Sequence, residues 1–240
     1  MADLSLKSIL ACFFFLFMGT GGGWLITNKI AGRAAANDFF VVFIFWALPL
    51  LLIQLFLWSM SRKRLFYQIV YRATFPFAFM SFFLGLFFPI FWMPGVGRDI
   101  KISIAIFLAL LSLWNILGGV SHFKEKWSLK GDKLLSENSK VGSLTIGWNK
   151  IIINLGVAQY GKLIAGLSDE YNGILSIILV ISMGIGLNLR NVFPEFSVFA
   201  WGVPSAIGAA YAMFIFGSNI GELLKVREIE VARKIDIAPE

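Results

Sequence analysis

The chain has 240 residues, of which 58% are hydrophobic and 16% are aromatic. Soluble domains are roughly half apolar, so a water-soluble fold of this length would leave too much apolar surface in water. Lys and Arg number 21 against 14 Asp and Glu, a net charge of +7. These cations flank long uncharged runs, which is typical of membrane orientation signals, and we expect no nucleic-acid partner.

Six apolar runs are close to the ~20 residues that a helix needs to cross a bilayer. They cover residues 9–26, 39–58, 75–92, 102–120, 173–189 and 198–216, and contain none of the charged residues. Uniformly apolar runs lack the alternation of a barrel strand, and backbone groups in lipid must bond to one another. The sequence therefore predicts an all-α, polytopic bundle of about six transmembrane helices.

The first run includes the single cysteine, Cys12. Its apolar stretch follows that cysteine, whereas in a cleaved lipoprotein signal it precedes it, so we expect an uncleaved span.

Orientation follows from the distribution of cations between alternating connections. With the N-terminus inside, 16 Lys and Arg fall on the inner side and 5 on the outer side. This imbalance predicts that both termini are cytoplasmic, and it favours a bacterial inner membrane.

The predicted organisation has four parts. Residues 1–120 hold four spans, residues 121–172 form a cytoplasmic loop of about 50 residues, residues 173–217 hold two spans, and residues 218–240 are a cytoplasmic tail. Within the loop, we expect an interfacial helix or a re-entrant segment at 142–167, because neither helical nor strand periodicity prevails there. In the tail, Glu230 and Lys234 have the (i, i+4) spacing of a solvated helix that continues the last span.

A G-x-x-x-x-G-K pattern runs from Gly156 to Lys162. A nucleotide-binding phosphate loop needs Ser or Thr next, to hold magnesium, and a parent domain much larger than this loop. Leu163 occupies that position, so the pattern indicates a glycine-broken segment.

The single histidine, His122, follows Ser121 at the predicted cytoplasmic end of the fourth span. Adjacent Ser and His rarely form a catalytic pair, so we expect a solvated residue near a helix C-terminus. One histidine is also too few for bis-histidine haem ligation or a histidine-rich metal site, and we expect no cofactor, metal or catalytic residue.

The predicted spans keep no ionisable acid or base, which disfavours coupled transport and intramembrane acid–base catalysis. Polar or small residues at depth would serve helix packing or line a pore. The set is Gln54, Asn115, Gly118, Ser205, Gly208 and Tyr211. Asn115 is the most informative, because a buried amide needs partners on other helices.

Glycines at G-x-x-x-G spacing, Gly19 with Gly23 and Gly217 with Gly221, predict close helix approach. We expect this packing to occur mainly within the chain.

Three functions fit these observations. The leading hypothesis is a non-enzymatic binding, scaffold or accessory subunit of a membrane complex, with the bilayer and other membrane subunits or a second copy as partners. Its cytoplasmic docking residues would include Arg62, Lys63, Arg64 and Lys162. The alternative is an uncoupled channel or facilitator for a small solute or ion, with a polar path near Gln54 and Asn115. A lipid-acting enzyme comes third, and it requires Ser121, His122 and Lys162 to converge in one pocket.

Overall fold

The structure is a computed structural model that describes residues 2–61, 64–138, 146–156, 162–233 and 237, with side chains from residue 7 onward. It is all-α and 90% helical, and its described residues contain no strand. The helices are α1 (Ala2–Met60), α2 (Leu65–Phe87), α3 (Arg98–Asn138), α4 (Trp148–Leu155), α5 (Asp169–Leu189) and α6 (Pro194–Arg233). A 3-10 helix, Phe88–Trp92, continues α2.

Five of these helices are long and apolar enough to cross a membrane, by length and composition: α1, α2, α3, α5 and α6. This agrees with the predicted polytopic membrane fold.

The helix α1 is two antiparallel segments joined at Gly32. That glycine has φ 84° and ψ 173°, outside helical geometry and in a region where a Cβ is unfavourable. In the first segment, contacts with α2 advance in the same direction along both helices, from Ser8 with Tyr71 to Phe15 with Phe79. In the second segment they run in opposite directions, from Trp46 with Ser81 to Gln54 with Thr74. The chain therefore reverses at Gly32, although the helix is nominally continuous.

The helix α6 is the centre of the bundle, since it packs against α2, α3 and α5. Glycines on α6 make room at the first two of these packings. A Cβ at Gly217 would lie 2.9 Å from the backbone Cα of Ile116 on α3, so a larger side chain there would force α3 and α6 apart. A Cβ at Gly208 would lie 2.7 Å from the Phe83 ring on α2, so a larger side chain there would displace that ring.

Both α3 and α6 continue well past the predicted spans. With 41 residues, α3 is about 60 Å long at 1.5 Å per residue, roughly twice the thickness of a hydrocarbon core. Its helical course through Asn138 means that the first part of the expected loop is a helix extension. The expected continuation of the last helix is also present, because α6 reaches Arg233.

Buried apolar residues form two clusters. The larger joins both segments of α1 with α2, the 3-10 helix and α6, and includes Phe39, Phe43, Phe87 and Ile90. The smaller gathers α2, α3, α4 and α6 beyond the apolar spans, and includes Leu65, Phe123, Trp148 and Val226. We call this second region, residues 64–72, 119–138, 146–156 and 218–233, the head.

Candidate functional site

Asn115 ties three segments together. Its amide nitrogen donates to the backbone carbonyls of Leu163 and Ala210, both at 2.8 Å, and its carbonyl accepts from the backbone N–H of Ala165 at 2.8 Å. The side chain is fully buried. Three hydrogen bonds nearly exhaust an amide's capacity, so Asn115 fixes the 162–167 segment and α6 onto α3.

That anchored segment forms one wall of a cavity of about 430 Å³ beside α3. The remaining walls come from α3 and from Phe214 of α6. The lining residues are Trp114, Leu117, Gly118, Ser121, His122, Glu125, Lys162, Ala165, Gly166 and Phe214. The cavity therefore brings together the neighbouring residues Ser121 and His122 and the residue Lys162, which is distant from them in sequence.

His122 is half-buried, and the expectation of a solvated helix end is wrong. The helix continues 16 residues beyond it, and its ring lies 5.7 Å from the Phe214 ring. The Nε2 atom is buried and has no hydrogen-bond partner among the described residues. Burial lowers the pKa of His122 below its ordinary value, and Lys126 and Lys162 add to this effect against Glu125 and Asp169. The imidazole is thus neutral near pH 7, with one donor and one acceptor nitrogen.

The convergence of Ser121 and His122 does not form a catalytic pair. Within the described residues no hydrogen bond joins the two side chains, and the Nε2 of His122 accepts none from Ser121. Neighbours on a helix point about 100° apart, whereas nucleophilic catalysis needs the base within hydrogen-bond reach of the nucleophile.

Lys162 lies at the cavity rim. Its ammonium donates to the Leu167 carbonyl at 3.1 Å and pairs with Asp169 at 3.5 Å. An ammonium has three donors, so one remains for a further partner. The preceding part of the G-x-x-x-x-G-K pattern, residues 157–161, lies outside the described residues. Gly156 ends α4 with φ 68°.

The head is held by buried ion pairs. Glu222 of α6 is 4% exposed; its carboxylate pairs with Arg72 of α2 and accepts from the Trp148 indole of α4 at 2.6 Å. Paired carboxylates are tolerated in an interior because their hydrogen bonds offset desolvation. Glu222 thereby fixes the relative positions of three helices.

A second carboxylate, Glu230, is only 3% exposed. Arg64 binds it through two nitrogens at 2.7 and 3.1 Å, and the backbone N–H of Ile237 donates to it at 3.2 Å. The expectation that Glu230 lies on a solvated face is therefore wrong: this face of α6 packs against the start of α2. Lys234 lies outside the described residues, as do Arg62 and Lys63.

Aromatic stacking completes the head. The Trp127 ring stacks on Phe123 and on Trp148, with centroids 5.9 and 5.6 Å apart. The Lys225 ammonium lies 5.4 Å from the Trp127 centroid, within cation–π range. The stack joins α3, α4 and α6 at the level of the ion pairs.

Four of the other predicted site residues, Gln54, Ser205, Gly208 and Tyr211, do not line this cavity, whereas Gly118 does. Gln54 is buried between the second segment of α1 and α2, where its amide donates to Thr74 at 2.7 Å. Ser205 is buried in α6, and its hydroxyl has no partner among the described residues. Gly208 faces Phe83, and Tyr211 is partly buried in α6. Gly118 contacts Ala165 at the cavity wall.

Sequence reasoning did not identify Glu222, Arg72 or Trp148 as a cluster. One signal was available: Glu222, Val226, Ile229 and Glu230 share one face of α6. A carboxylate at each end of an apolar stripe indicates a buried face that needs cationic partners.

No group of three or more potential metal-ligating side chains occurs in the described part of the chain. No protein-family model, curated protein or solved structure matches the sequence or the fold.

Proposed function

We propose that this chain is a non-enzymatic subunit of a membrane complex that acts by binding, as a scaffold or accessory component. It crosses the bilayer six times, with both termini and the head in the cytoplasm, and it resides in a bacterial inner membrane. The head supports this proposal most directly, because it is a pre-organised structure with no catalytic arrangement among its described residues.

The six-span topology rests on the reversal at Gly32. Each segment of α1 is about as long as one crossing, and the two run antiparallel along α2. Six crossings place the head on the side that carries 16 of the 21 cations.

The rigidity of the head favours a docking role. Glu222 is buried and paired with Arg72 of α2, and Glu230 is buried and paired with Arg64, which directly precedes α2. The Trp148 indole connects α4 to Glu222. Removing charges from water is costly, and such arrangements specify one geometry more than they add stability. A fixed surface reduces the entropy lost when a partner binds.

One exposed face of α6 in the head has the composition of a docking surface. Leu224 and Val231 are 54% and 63% exposed, two helical turns apart, with Arg227 and Glu228 between them. This stretch lies beyond the apolar span, so lipid tails do not cover it. Apolar side chains at i and i+7 flanked by charges are typical of helix-to-protein recognition.

The channel alternative has less support. Gln54 and Asn115 lie in different helix interfaces, one between α1 and α2 and the other between α3 and α6. Both polar atoms of the Asn115 amide are hydrogen-bonded to backbone groups, so the side chain has little hydrogen-bonding capacity left for a solute.

The test is a mild-detergent purification of the tagged chain from its native membrane, with mass spectrometry of associated proteins. The variant Leu224→Lys with Val231→Lys should lose a stoichiometric partner that wild type retains. Ser136→Lys with Glu137→Lys, on the exposed end of α3, is the matched control and should retain it. A monomeric wild type that co-purifies with no protein would overturn the proposal.

A further inference from the structure

The cavity beside His122 has an amphipathic axis. Its α3 wall uses positions 114, 117, 118, 121, 122 and 125, which share one helix face. The wall is apolar at Trp114 and Leu117 and polar at Ser121 and Glu125. From Trp114 to Glu125 the helix rises by eleven residue steps, or about 16 Å, comparable to a lipid headgroup with its glycerol and first acyl carbons.

The opposite walls follow the same gradient. Ala165 lies at the apolar end, where its carbonyl accepts from the Trp114 indole at 2.8 Å. Phe214 lies between the two ends, with its ring 5.7 Å from that of His122, and Lys162 lies on the His122 side. Asn115 holds the 162–167 segment in place through two hydrogen bonds, so the cavity is built into the fold. Its volume of about 430 Å³ is within the range of small-molecule sites.

The polar end carries unused hydrogen-bonding capacity. The His122 ring lines the cavity, and its Nε2 atom is buried beside the cavity without a partner among the described residues. The exposed Glu125 carboxylate has no hydrogen bond or ion pair within the described part of the chain. Lys162 retains one ammonium donor. Buried polar atoms are normally satisfied, so the unpartnered nitrogen marks the polar end as a place where a ligand can supply a partner.

We propose that this cavity binds one phospholipid whose headgroup carries both a phosphate and a primary amine. Lys162, Ser121 and His122 contact the phosphate, and Glu125 accepts hydrogen bonds from the ammonium. The acyl chains lie against Trp114, Leu117 and Phe214.

The charges at the rim select this headgroup. A purely anionic headgroup would be repelled by two carboxylates. One is Glu125, which has no ion pair among the described residues, and the other is Asp169, which already pairs with Lys162. A choline headgroup has the cation but no N–H to donate to Glu125. Only the zwitterion with a primary amine satisfies both the carboxylate and the ammonium. This site is separate from the Leu224 and Val231 face, so the two proposals stand or fall independently.

Native mass spectrometry of the full-length chain provides the test. The protein in detergent is titrated with phosphatidylethanolamine, phosphatidylcholine or phosphatidylglycerol, and separately with soluble phosphoethanolamine. One phosphatidylethanolamine should bind about tenfold or more tightly than either other lipid, the discrimination expected from one charge-assisted hydrogen bond. Phosphoethanolamine at the same concentration should not compete, because it lacks the acyl chains.

Two substitutions separate the roles of the rim. Glu125→Gln should remove the preference for phosphatidylethanolamine over phosphatidylcholine, and Lys162→Gln should weaken binding of both lipids. Lys130→Gln and Glu137→Gln lie on exposed parts of α3 away from the cavity and should bind as wild type does. Size-exclusion profiles matching wild type show that each variant is folded.

Equal binding of the three lipids, or wild-type binding by both rim variants, would overturn the proposal. Effective competition by phosphoethanolamine would overturn the lipid assignment and make the ligand a soluble phosphoamine.

Discussion

At the scale of single residues, Asn115 shows how a polar side chain can organise an apolar bundle. It is fully buried, yet each polar atom meets a backbone group of another segment. The carbonyl of Ala210 is already part of a helix, so the bond uses its second lone pair. The irregular 162–167 segment has no apolar helical face to pack against the bundle, so the hydrogen bonds from the Asn115 amide hold it in position instead.

Replacing Asn115 with leucine should destabilise the fold by about 2 kcal/mol, as expected for three membrane hydrogen bonds of roughly 0.6 kcal/mol each. The measurement is unfolding in increasing SDS, followed by far-ultraviolet circular dichroism. Asn188→Leu is the matched control, because Asn188 is exposed and, among the described residues, its side chain bonds only to Gly184 of its own helix. Equal stability of the two variants would show that the Asn115 bonds contribute nothing.

Residue chemistry also explains why the cavity was only partly predictable. The sequence analysis required Ser121, His122 and Lys162 to converge in one pocket if the chain were a lipid-acting enzyme, and the fold brings the three residues to one cavity. It could not predict the convergence, since the 162–167 segment has no periodicity to place it. It also assumed a helix end near His122, where α3 in fact continues.

At the scale of elements, close approach between glycines determines how the helices cross. A Cβ at Gly85 on α2 would lie 2.5 Å from the carbonyl carbon of Gly19 and 2.6 Å from its Cα on α1. Both are backbone atoms, so no side-chain rotation could relieve the overlap. The helices would have to separate along their contact.

We therefore expect Gly85→Ala to cost about 1–3 kcal/mol, the usual range for overpacking a tight interface. Gly21→Ala, on the facing helix, is the control: its Cβ meets nothing within 4 Å, and alanine favours helix. Thermal unfolding in detergent should show a lower midpoint for Gly85→Ala and an equal or higher one for Gly21→Ala. A Gly85→Ala midpoint at or above wild type would contradict this packing.

The elements that the sequence predicted best are the apolar helices, whose structure depends mainly on the length and hydrophobicity of one continuous run. Uncharged runs of sufficient length define five long apolar helices, because lipid allows few alternatives to helix. The head was harder to predict. In the sequence, Glu222 and Glu230 look like solvated acids, because their partners Arg72 and Arg64 lie 150 and 166 residues earlier in the chain.

At the scale of the whole molecule, the path of α1 bears on how the five long apolar helices are oriented in the bilayer. Because α1 reverses at Gly32, residues just after it should lie on the side opposite the head, together with the α2–α3 connection. Cysteine labelling tests this on a Cys12→Ala background, which removes the single native thiol. Ala34→Cys and Gly97→Cys should react with a membrane-impermeant maleimide in intact cells, whereas Ser136→Cys should react only after permeabilisation. All three positions are exposed, so reactivity reports the side of the membrane and not burial.

Labelling of Ser136→Cys in intact cells would show that the orientation is the reverse of the proposed one. Protection of Ala34→Cys alongside labelled Gly97→Cys would mean that the second segment of α1 does not cross, and it would contradict the six-span topology.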